Sequence, residues 1–347
     1  MGVYRIGFVG AGPATQSIHL PTLALLGHLG GSDTARVTHI MDPDESIAQA
    51  VAGPLGAKAS TSLDDLLADG VDIAVVASPN RFHAEQITAL CAAGVAAILA
   101  EKPLATSLDE VERVAQAVRS ASTALVVGAM HLYDPAWLAA YPQMVAAGGY
   151  QARCAVYIPA NSHFEDMATT MVRPAAAGGG QAPTPADIIH GGVLGLAIHD
   201  LPLIRRFIPR VEEVVVAEAL APWGYVLTAT GPAGSVELLA RTGGTWRPDW
   251  TLDVWGGDAR LELSFPPSYV HAGSASASLS LGPDDASPSL SFGPYADDGY
   301  LAEWRELFAI LAGASPRYGL DDVVADIDYA IRLADLAAAR VNQAQGA

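Results

Sequence analysis

The sequence predicts an α/β fold in two parts, a doubly wound parallel sheet followed by an α+β domain with a mostly antiparallel sheet. Over residues 1–127, short apolar runs alternate regularly with amphipathic, helix-like runs, as expected of a parallel sheet covered on both faces. Over residues 128–347, helix-like segments precede several runs of β character, which is typical of an antiparallel α+β arrangement. The length of 347 residues also suits two domains better than one.

The first domain is expected to hold a ligand beyond the carboxyl ends of its strands, where doubly wound sheets bind their ligands. Its predicted strands are Tyr4–Val9, Arg36–Met41, Asp72–Ala77, Ala96–Ala100 and Ala124–Val127. The clearest helices between them are Asn80–Ala93 and Ser107–Ser120.

The second domain is expected to carry one helix among several strands. Its predicted elements are a strand at Ala152–Ile158, a Gly/Ala/Pro-rich loop at Pro174–Pro185, a helix at Val193–Phe207, and strands at Val211–Ala217, Gly224–Thr230, Ser235–Ala240, Thr251–Trp255 and Arg260–Phe265. Residues 272–294 are rich in Ser, Gly, Pro and Ala and predict an exposed loop. Two closing helices, Tyr300–Ala312 and Asp321–Asn342, are candidates for packing back on the first domain.

Composition disfavours several classes of partner. The formal net charge is −18 and no run is rich in Lys and Arg, so nucleic acid is not expected as a partner, because such a surface repels phosphates. Uncharged apolar runs are too short for a membrane span and no basic-then-apolar leader is present, so a cytoplasmic protein without a membrane partner is expected. Cys91 and Cys154 are too few for a disulfide scaffold and are expected to be buried.

A glycine turn follows the first predicted strand. Gly10 permits the sharp turn, and Gly12 lets the backbone approach a phosphate without a Cβ in the way. A helix begins at once, and its unpaired N–H groups favour an anion. Gly10, Gly12, Pro13, Ala14 and Thr15 are therefore expected to bind a dinucleotide pyrophosphate. Thr15 stands where G-x-G-x-x-G ends in glycine, and a purely structural turn is the alternative.

Asp42 ends the second predicted strand and bears on the choice of cofactor. A carboxylate there can accept hydrogen bonds from an adenosine ribose and would repel a 2′-phosphate. This favours NAD(H) over NADP(H). Asp42-Pro43-Asp44 is also good turn chemistry, so a helix cap or turn aspartate is the alternative.

Six segments along the chain match motifs of one known family. They are residues 10–21 with His-Leu-Pro at their end, Ser78-Pro79-Asn80-Arg81-Phe82-His83, Glu101-Lys102-Pro103-Leu104-Ala105, Tyr133-Asp134-Pro135-Ala136-Trp137, Gly191-Gly192-Val193-Leu194 through His199-Asp200, and Glu303-Trp304-Arg305-Glu306-Leu307. Over essentially its whole length, the chain resembles the Gfo/Idh/MocA oxidoreductases. The resemblance implies a Rossmann domain at the N-terminus, then a domain with a large, mostly antiparallel open sheet that pairs subunits into a homodimer or homotetramer.

Lys102 is the leading catalytic candidate. It follows a predicted buried strand and precedes Pro103, so its ammonium group can exchange a proton with a substrate oxygen, and partial burial would lower its pKa toward working pH. Glu101 can modulate that charge or meet the nicotinamide ribose. The resemblance implies a catalytic or positioning Lys102, and in many relatives the bond before this proline is cis. A surface lysine in a loop is the alternative.

His199 is the second catalytic candidate. It is expected near the middle of a helix over Gly192–Phe207, where a histidine can exchange a proton or bind a hydroxyl. A core histidine with satisfied hydrogen bonds is the alternative. Many members of the family carry an aspartate four residues earlier, where this chain has Gly195. Asp200, Asp187 or His190 could substitute, although Asp200 is turned by about 100° from His199 on a helix.

The resemblance also implies roles in binding for other residues, and a structural role is the alternative for most of them. Ser78, Pro79, Asn80 and His83 are expected near the ribose and nicotinamide, although Asn80 also suits a helix N-cap and His83 suits packing. Gln16 is expected to reach the cofactor, whereas His19 is expected to be structural. The substrate candidates, each also plausible as core, loop or surface, are His131, Tyr157, Asn161, His163, Asp187, His190 and Trp246. His, Asp and Glu show no ligand spacing, so no metal is expected.

The sequence therefore favours an NAD(P)-dependent dehydrogenase or reductase that acts on a CH–OH or C=N group of a sugar, cyclitol or related natural-product intermediate. The expected partner is a small polyol or sugar. Two alternatives stay open. One is an NAD-using lyase or glycosidase without net redox change, and the other is a nucleotide-binding protein whose catalysis is altered or lost because Gly195 replaces the aspartate.

Overall fold

The computed structural model describes residues 3–27, 34–144, 149–160, 163–165, 169–173, 182–243, 248–283 and 287–346. Two predicted substrate residues, Asn161 and Trp246, lie outside these ranges. The chain divides into two compact units. The first unit is Met1–Gly128 with Glu165–Gly180 and Glu303–Ile327, and the second is Ala129–Phe164 with Gln181–Ala302 and Asp328–Ala347.

A six-stranded parallel sheet forms the centre of the first unit, in the order β3-β2-β1-β4-β5-β6. Its strands are β1 Tyr4–Val9, β2 Ala35–Met41, β3 Lys58–Ser60, β4 Ile73–Val76, β5 Ala97–Glu101 and β6 Ala124–Gly128. The strand order reverses between β1 and β4, which confirms the predicted doubly wound fold. Sequence reasoning missed β3 because it is a short edge strand without buried residues.

Helices and short helical turns lie between the strands of this sheet along the chain. They are a π-helical turn Ala14–His19 leading into α1 Leu20–Leu25, then α2 Glu45–Ala52 with a 3₁₀ turn Gly53–Leu55, α3 Leu63–Asp69, a 3₁₀ turn Asn80–Phe82, α4 His83–Ala92 and α5 Leu108–Ala121. Asp44, Ser62 and Ser107 each cap a helix by accepting a backbone N–H. Each cap fixes where the chain leaves a loop and enters its helix.

An eight-stranded sheet forms the second unit, in the order β14-β13-β12-β11-β7-β10-β9-β8. Among the described strands of this second sheet, only β7 and β10 pair in parallel, so the predicted mostly antiparallel sheet is confirmed. The strands are β7 Tyr150–Ile158, β8 Glu213–Ala219, β9 Gly224–Gly231, β10 Gly234–Thr242, β11 Asp249–Gly256, β12 Ala259–Ser264, β13 Ser276–Leu281 and β14 Ser289–Phe292. Along β7, buried residues alternate with exposed or half-buried ones, so one face of the strand packs on the core.

The remaining helices are mostly short. They are α6 Met130–Tyr133, α7 Pro135–Ala140, a 3₁₀ turn Tyr141–Gln143, α8 Pro185–Gly195, a 3₁₀ turn Ala197–His199, α9 Leu201–Arg205, α10 Gly299–Leu311 and α11 Leu320–Gly346. No helix within the described ranges has both the length and the apolarity to span a bilayer.

The continuous helix predicted over Val193–Phe207 is wrong. The chain forms α8 up to Gly195, then a 3₁₀ turn that ends at His199, then the short α9. Pro202 lies in the first turn of α9, where its missing N–H is tolerated but an unbroken helix through it is not. His199 therefore lies in a tight turn and not in the middle of a helix, so Gly195 and His199 do not share one helical face.

The exposed loop predicted over residues 272–294 is also wrong, because β13 and β14 form there. Ala277 and Leu279 of β13 are buried, and the serines between them are exposed or half-buried. The alternation has the period of a strand, but serine and alanine carry little β propensity, so composition concealed it.

Candidate active site

The residues predicted to bind a dinucleotide lie along one edge of the parallel sheet. Val9 is in register with Met41 on β2 and with Val76 on β4, and Val76 is in register with Ala100 on β5. The residues that follow these positions therefore leave the sheet at its carboxyl edge. They are Gly10, Asp42, the Ser78 turn and the pair Glu101-Lys102.

The glycine turn after β1 fits a bound phosphate. Gly10 has a φ of +101°, and a Cβ on it would lie 2.7 Å from the carbonyl oxygen of Ala77, so only glycine is accommodated. A Cβ on Gly12 would meet no atom within 4 Å, so the backbone there borders open space. The helix that follows starts at Ala14 without an acidic residue in its first turn. Its leading N–H groups have no helical acceptor and favour an anion.

Thr15 packs in the place of the third glycine of the pattern. Its side chain is fully buried, and its hydroxyl donates to the carbonyl oxygen of Gly10 at 2.6 Å. The threonine thus stabilises the glycine turn through this hydrogen bond.

Asp42 organises the turn around it. Its Oδ2 accepts the N–H of Ala11 at 2.9 Å and its Oδ1 accepts the N–H of Asp44 at 3.0 Å. The cap of α2 is Asp44 and not Asp42. The turn role is therefore present, and each oxygen keeps a second lone pair with which a ribose hydroxyl could bond.

The turn after β4 is held by His83. Its two ring nitrogens lie 2.8 Å from the carbonyl oxygen of Pro103 and 2.7 Å from that of Ser78. Because the ring is fully buried, it ties the Ser78 turn firmly to the loop that carries Lys102. Pro79 and Asn80 are exposed, and the cap of the 3₁₀ turn at Asn80 is Pro79, without a side-chain hydrogen bond.

Lys102 follows the last residue of β5 and is half-buried. The bond to Pro103 is cis. Desolvation by the surrounding protein lowers the pKa of Lys102 below its ordinary value, against the opposing effect of the Glu101 charge. This placement makes Lys102 the strongest proton-transfer candidate of the first unit.

Glu101 is held by two further side chains of the first unit. Its Oε1 lies 3.1 Å from Nε2 of His19, and Nε1–H of Trp304 donates to Nδ1 of His19 at 3.2 Å. Burial would raise the pKa of Glu101, but the hydrogen bond from His19 and the electrostatic effect of Lys102 outweigh it, so the pKa lies below its ordinary value.

Gln16 does not extend into the open space beside the turn, where it was expected to reach a cofactor. Its Nε2 donates to the carbonyl oxygens of Ala11 and Val172, and its Oε1 accepts the N–H of Val172. The side chain therefore fastens a later stretch of chain to the glycine turn.

In the second unit, Asp200 is the centre of a buried polar cluster. Its fully buried carboxylate accepts from Nδ1 of His131 at 2.9 Å, from Nε1 of Trp250 at 2.9 Å and from the Cys154 thiol at 3.3 Å. Burial and then the charge of Asp200 raise the pKa of Cys154 well above its ordinary value, so the thiol stays protonated and donates. We refer to Asp200, His131, Trp250 and Cys154 as the Asp200 cluster.

His199 packs against this cluster. Its ring centroid lies 5.7 Å from that of His131 and 5.5 Å from that of Trp250. His131 also stacks on Phe265 at 3.7 Å. With 6% of its surface exposed, His199 has little freedom to move, and the aromatic rings around it fix its orientation.

Two of the other predicted substrate residues, Asp187 and His190, make structural contacts. Asp187 forms a capping box with Thr184 at the start of α8, which lowers the pKa of the Asp187 carboxyl. His190 lies 3.4 Å from Asp335. Tyr157 lies on the face of β7 opposite Cys154, and His163 is exposed. The described residues contain no group of three or more His, Cys, Asp and Glu placed to hold a metal ion.

Three residues that contact the candidate site residues were not identified as site residues from the sequence. Trp304, Cys154 and Trp250 each bond to a candidate site residue from a distant part of the chain. Cys154 was expected only to be buried, and Trp304 only to belong to a closing helix. The one available signal was the His-Leu-Pro motif, whose histidine is the partner of Trp304.

Residues 4–129 match the family model described as "Oxidoreductase family, NAD-binding Rossmann fold", the Gfo/Idh/MocA family. Inositol 2-dehydrogenase 1 of Saccharopolyspora erythraea is 37% identical over 138 residues, which cover 39% of this chain and 39% of that protein. Inositol 2-dehydrogenase 3 of the same organism is 28% identical over 222 residues, which cover 63% of this chain and 57% of that protein. The alignments thus span well under two thirds of these relatives.

Solved structures share the fold over nearly the whole chain. A UDP-N-acetylglucosamine 3-dehydrogenase from Acidithiobacillus ferrooxidans has a TM-score of 0.72 at 17% identity, with coverage of 98% of this chain and 99% of that one. A 3-ketoreductase from Actinomadura kijaniata in complex with TDP-benzene and NADP has a TM-score of 0.68 at 20% identity, with 96% coverage of both chains. A protein of gentamicin A biosynthesis in complex with NAD has a TM-score of 0.69 at 20% identity, with 97% and 95% coverage.

These structures are below 25% identity and support the architecture alone. The family match comes from the first domain, where the glycine turn, the Ser78 turn and the Glu101-Lys102-Pro103 loop share one sheet edge. Residues 4–129 of this chain therefore match the NAD-binding Rossmann domain of the Gfo/Idh/MocA oxidoreductase family.

Proposed function

We propose that this chain is an NAD(H)-dependent oxidoreductase that transfers a hydride to or from a sugar, a cyclitol or a related natural-product intermediate. The reacting group is an alcohol or a ketone, and an imine fits the same scheme with nitrogen in place of oxygen. One observation carries the proposal. Lys102, with a pKa lowered by burial, leaves the sheet at the same edge as the glycine turn.

The glycine turn supplies the phosphate contacts in this proposal. The open space beside Gly12 and the leading N–H groups of Ala14 and Thr15 suit a pyrophosphate. A bound nicotinamide dinucleotide would supply the hydride donor or acceptor. Ser78, Pro79 and Asn80 contribute a turn along the same edge, and His83 keeps that turn in place by contacting the carbonyl oxygen of Ser78.

Lys102 exchanges the proton of the substrate oxygen. In the reducing direction its ammonium group donates that proton, and in the oxidising direction the neutral amine accepts it. Proton transfer is most effective when the pKa of the group lies near working pH, and desolvation moves the pKa of Lys102 in that direction. Nδ1 of His83 contacts the carbonyl oxygen of Pro103, and this contact restrains the loop that carries Lys102.

His199 is assigned a second role, binding a substrate hydroxyl or assisting proton transfer. His131, which stacks on Phe265 and packs against His199, is the neighbouring substrate candidate. Asp187 and His190 make structural contacts, and Tyr157 lies on the face of β7 opposite Cys154, so these three residues are left outside the proposal. Gly195 brings no carboxylate to His199, and a Cβ at this position would have no atom within 4 Å.

Asp42 supports NAD(H) over NADP(H) as the cofactor. Its carboxylate is already oriented by the N–H groups of Ala11 and Asp44, and a 2′-phosphate brought to it would be repelled. The NADP bound by the Actinomadura kijaniata relative is a property of that protein.

The substrate class is drawn from the relatives. The inositol 2-dehydrogenases, the UDP-N-acetylglucosamine 3-dehydrogenase and the 3-ketoreductase have names that describe redox chemistry on ring hydroxyls or ketones. We extend that chemistry to this chain and also propose a homodimer or homotetramer paired through the second-unit sheet. Size-exclusion chromatography with light scattering tests the latter, and a monomer at micromolar concentration would contradict it.

The experiment is a substrate panel of inositols, sugars and nucleotide-linked sugars, assayed with each dinucleotide by NADH or NADPH absorbance. Lys102→Met should lower kcat by about 100- to 10,000-fold, the usual contribution of general acid–base catalysis, while NADH affinity changes little. Lys58→Met is the matched control, because Lys58 is an exposed lysine of the same unit. A Lys102→Met variant with undiminished turnover would remove the proposed mechanism.

A further inference from the structure

A chain of buried hydrogen bonds leads from helix α10 to the residue beside Lys102. Trp304 bonds to His19, His19 bonds to Glu101, and Glu101 accepts the backbone N–H of Lys102 at 3.3 Å. We propose that Trp304 and His19 form a hydrogen-bond relay of fixed polarity that holds Glu101 as an ionised acceptor beside Lys102, and that both are positioning residues for the reaction. The effect of this relay on catalysis rests on the proposed function. The polarity of the relay, meaning the direction of its hydrogen bonds, does not.

The polarity follows from the first member of the relay. An indole nitrogen can only donate, so Nδ1 of His19 must accept and cannot carry a proton. The proton of the neutral imidazole is therefore on Nε2, which faces Oε1 of Glu101 and donates to it. Oε2 accepts the N–H of Lys102. Both oxygens act as acceptors, as expected of a carboxylate, and the hydrogen bond from His19 and the neighbouring Lys102 hold the pKa of Glu101 below its ordinary value despite burial.

Packing restricts the side chains of the relay to their observed orientations. Trp304 and the His19 ring are fully buried, and 13% of the Glu101 side chain is exposed. Gly128, opposite Glu101 on β6, makes room for the carboxylate, because a Cβ on it would lie 3.3 Å from Oε1. The charged or titratable groups that act on Glu101 are His19, Lys102 and His83.

The relay affects Lys102 through the charge of Glu101. That charge raises the pKa of Lys102 against the larger, opposite effect of burial. Without the hydrogen bond from His19, the buried carboxyl would take up a proton more readily, because burial disfavours its charged form. A neutral Glu101 would no longer support the charge on Lys102, so the titration of Lys102 would move to lower pH.

The polarity is tested on the wild-type protein by ¹⁵N NMR of the imidazole nitrogens, with His19 assigned from the signal that disappears in His19→Gln. The relay predicts that, in the neutral ring, Nδ1 is unprotonated and Nε2 carries the proton. A protonated Nδ1, or a mixture of tautomers, would overturn the relay without any assay of activity.

The effect on Lys102 is tested by the pH dependence of its acylation, followed by mass spectrometry of the labelled peptide. His19→Leu should move the Lys102 titration to lower pH, in the direction of Glu101→Gln and by a smaller amount. His19→Gln should restore most of the wild-type titration, since an amide can donate to Glu101 and accept from Trp304 with similar spacing.

Trp304→Phe removes the indole donor and keeps an aromatic ring. Trp137→Phe is its matched control, because Trp137 is also fully buried and its Nε1 has no hydrogen-bond partner among the described residues. Trp304→Phe should allow a second tautomer of His19, which the wild type lacks, and should lower kcat/KM by up to about 100-fold, as small displacements in a site do. Trp137→Phe should leave the His19 tautomer and the Lys102 titration unchanged.

The outcomes separate this inference from the proposed function. Tautomer and titration results as expected, in a protein that turns over no alcohol, ketone or imine of the substrate classes above with either dinucleotide, would uphold the relay and refute the proposed function. Turnover that depends on Lys102, with a Lys102 titration that is equal in His19→Leu and wild type, would uphold the function and refute the relay.

Discussion

Replacing Gly12 with alanine should weaken dinucleotide binding without weakening the fold. Gly12 has a φ outside the left-handed region, and an added Cβ would meet no protein atom within 4 Å. Alanine should therefore fit the folded chain, and the loss of backbone freedom in the unfolded chain should stabilise the protein by about 0.4–1 kcal/mol. The same methyl group would enter the space assigned to the pyrophosphate.

The loss of affinity can be estimated from the cost of overpacking. Forcing an extra methyl group into a close contact costs about 1–3 kcal/mol, which corresponds to binding that is about 5- to 150-fold weaker. Calorimetric titration of NADH into wild type and Gly12→Ala measures this directly, and thermal unfolding without ligand measures the stability.

Gly10→Ala provides the contrast at the other glycine. Here the Cβ would lie 2.7 Å from a backbone oxygen at a φ of +101°, so backbone strain and overpacking should destabilise the first unit by about 2–6 kcal/mol in all. The reasoning would be refuted if Gly12→Ala bound NADH as tightly as wild type, or if Gly12→Ala unfolded at lower temperature as Gly10→Ala does.

Three further predictions concern Asp200, Lys102 and Asp42. Asp200→Asn should lower the unfolding temperature of the second unit by about 2–12 °C, since an amide N–H then faces one of the buried donors at a cost of about 1–3 kcal/mol; an unchanged unfolding temperature in calorimetry would show that the Asp200 cluster contributes little. Because burial lowers the pKa of Lys102 from its ordinary value of 10.5, Lys102→Met should be more stable than wild type at neutral pH, and denaturation at a series of pH values should show that advantage shrinking as pH rises from the lowered pKa toward the ordinary one. A stability difference between Lys102→Met and wild type that does not change with pH would mean that the fold does not disfavour the charged form of Lys102. Asp42→Asn should narrow the preference for NAD(H) over NADP(H) by about tenfold or more, because it removes a charge worth at least about 1.4 kcal/mol against a 2′-phosphate; competitive binding of the two dinucleotides checks it, and an unaltered ratio would leave Asp42 as a turn residue only.

Local patterns predicted much of the first unit. The apolar run Tyr4–Val9 and the glycines after it specify a strand and a turn within a few residues, and the observed β1 has those bounds. Since parallel strands bring their carboxyl ends to one edge, the neighbourhood of Gly10, Asp42 and Lys102 followed from the order of the elements. Burial of Cys91 and Cys154 was likewise predicted, because two cysteines are too few for a disulfide scaffold, and it is confirmed.

Long-range partners could not be predicted in this way. Trp304 and His19 are 285 residues apart, and neither carries a local signal for the other. The Asp200 cluster likewise joins side chains from α6, β7, β11 and the end of a 3₁₀ turn. Such hydrogen bonds depend on tertiary packing, which overrides what a short window of sequence contains.

The interrupted helix around His199 shows the same limit from another direction. The apolar spacing of residues 193–207 suits a helix, and the prediction followed it. Pro202 and the glycines of α8 had the opposite meaning, because proline lacks an N–H and restricts the residue before it. Pro202 was therefore a better guide to the end of the helix than the apolar spacing of these residues.

A crystal structure of the protein with NADH bound tests the central claim most directly. The account predicts pyrophosphate oxygens within hydrogen-bonding distance of the N–H groups of Ala14 and Thr15, close to Gly12, and the Lys102 ammonium group beside the nicotinamide end of the cofactor. A dinucleotide seated elsewhere, or a Lys102 side chain directed into bulk solvent away from the nicotinamide, would contradict it.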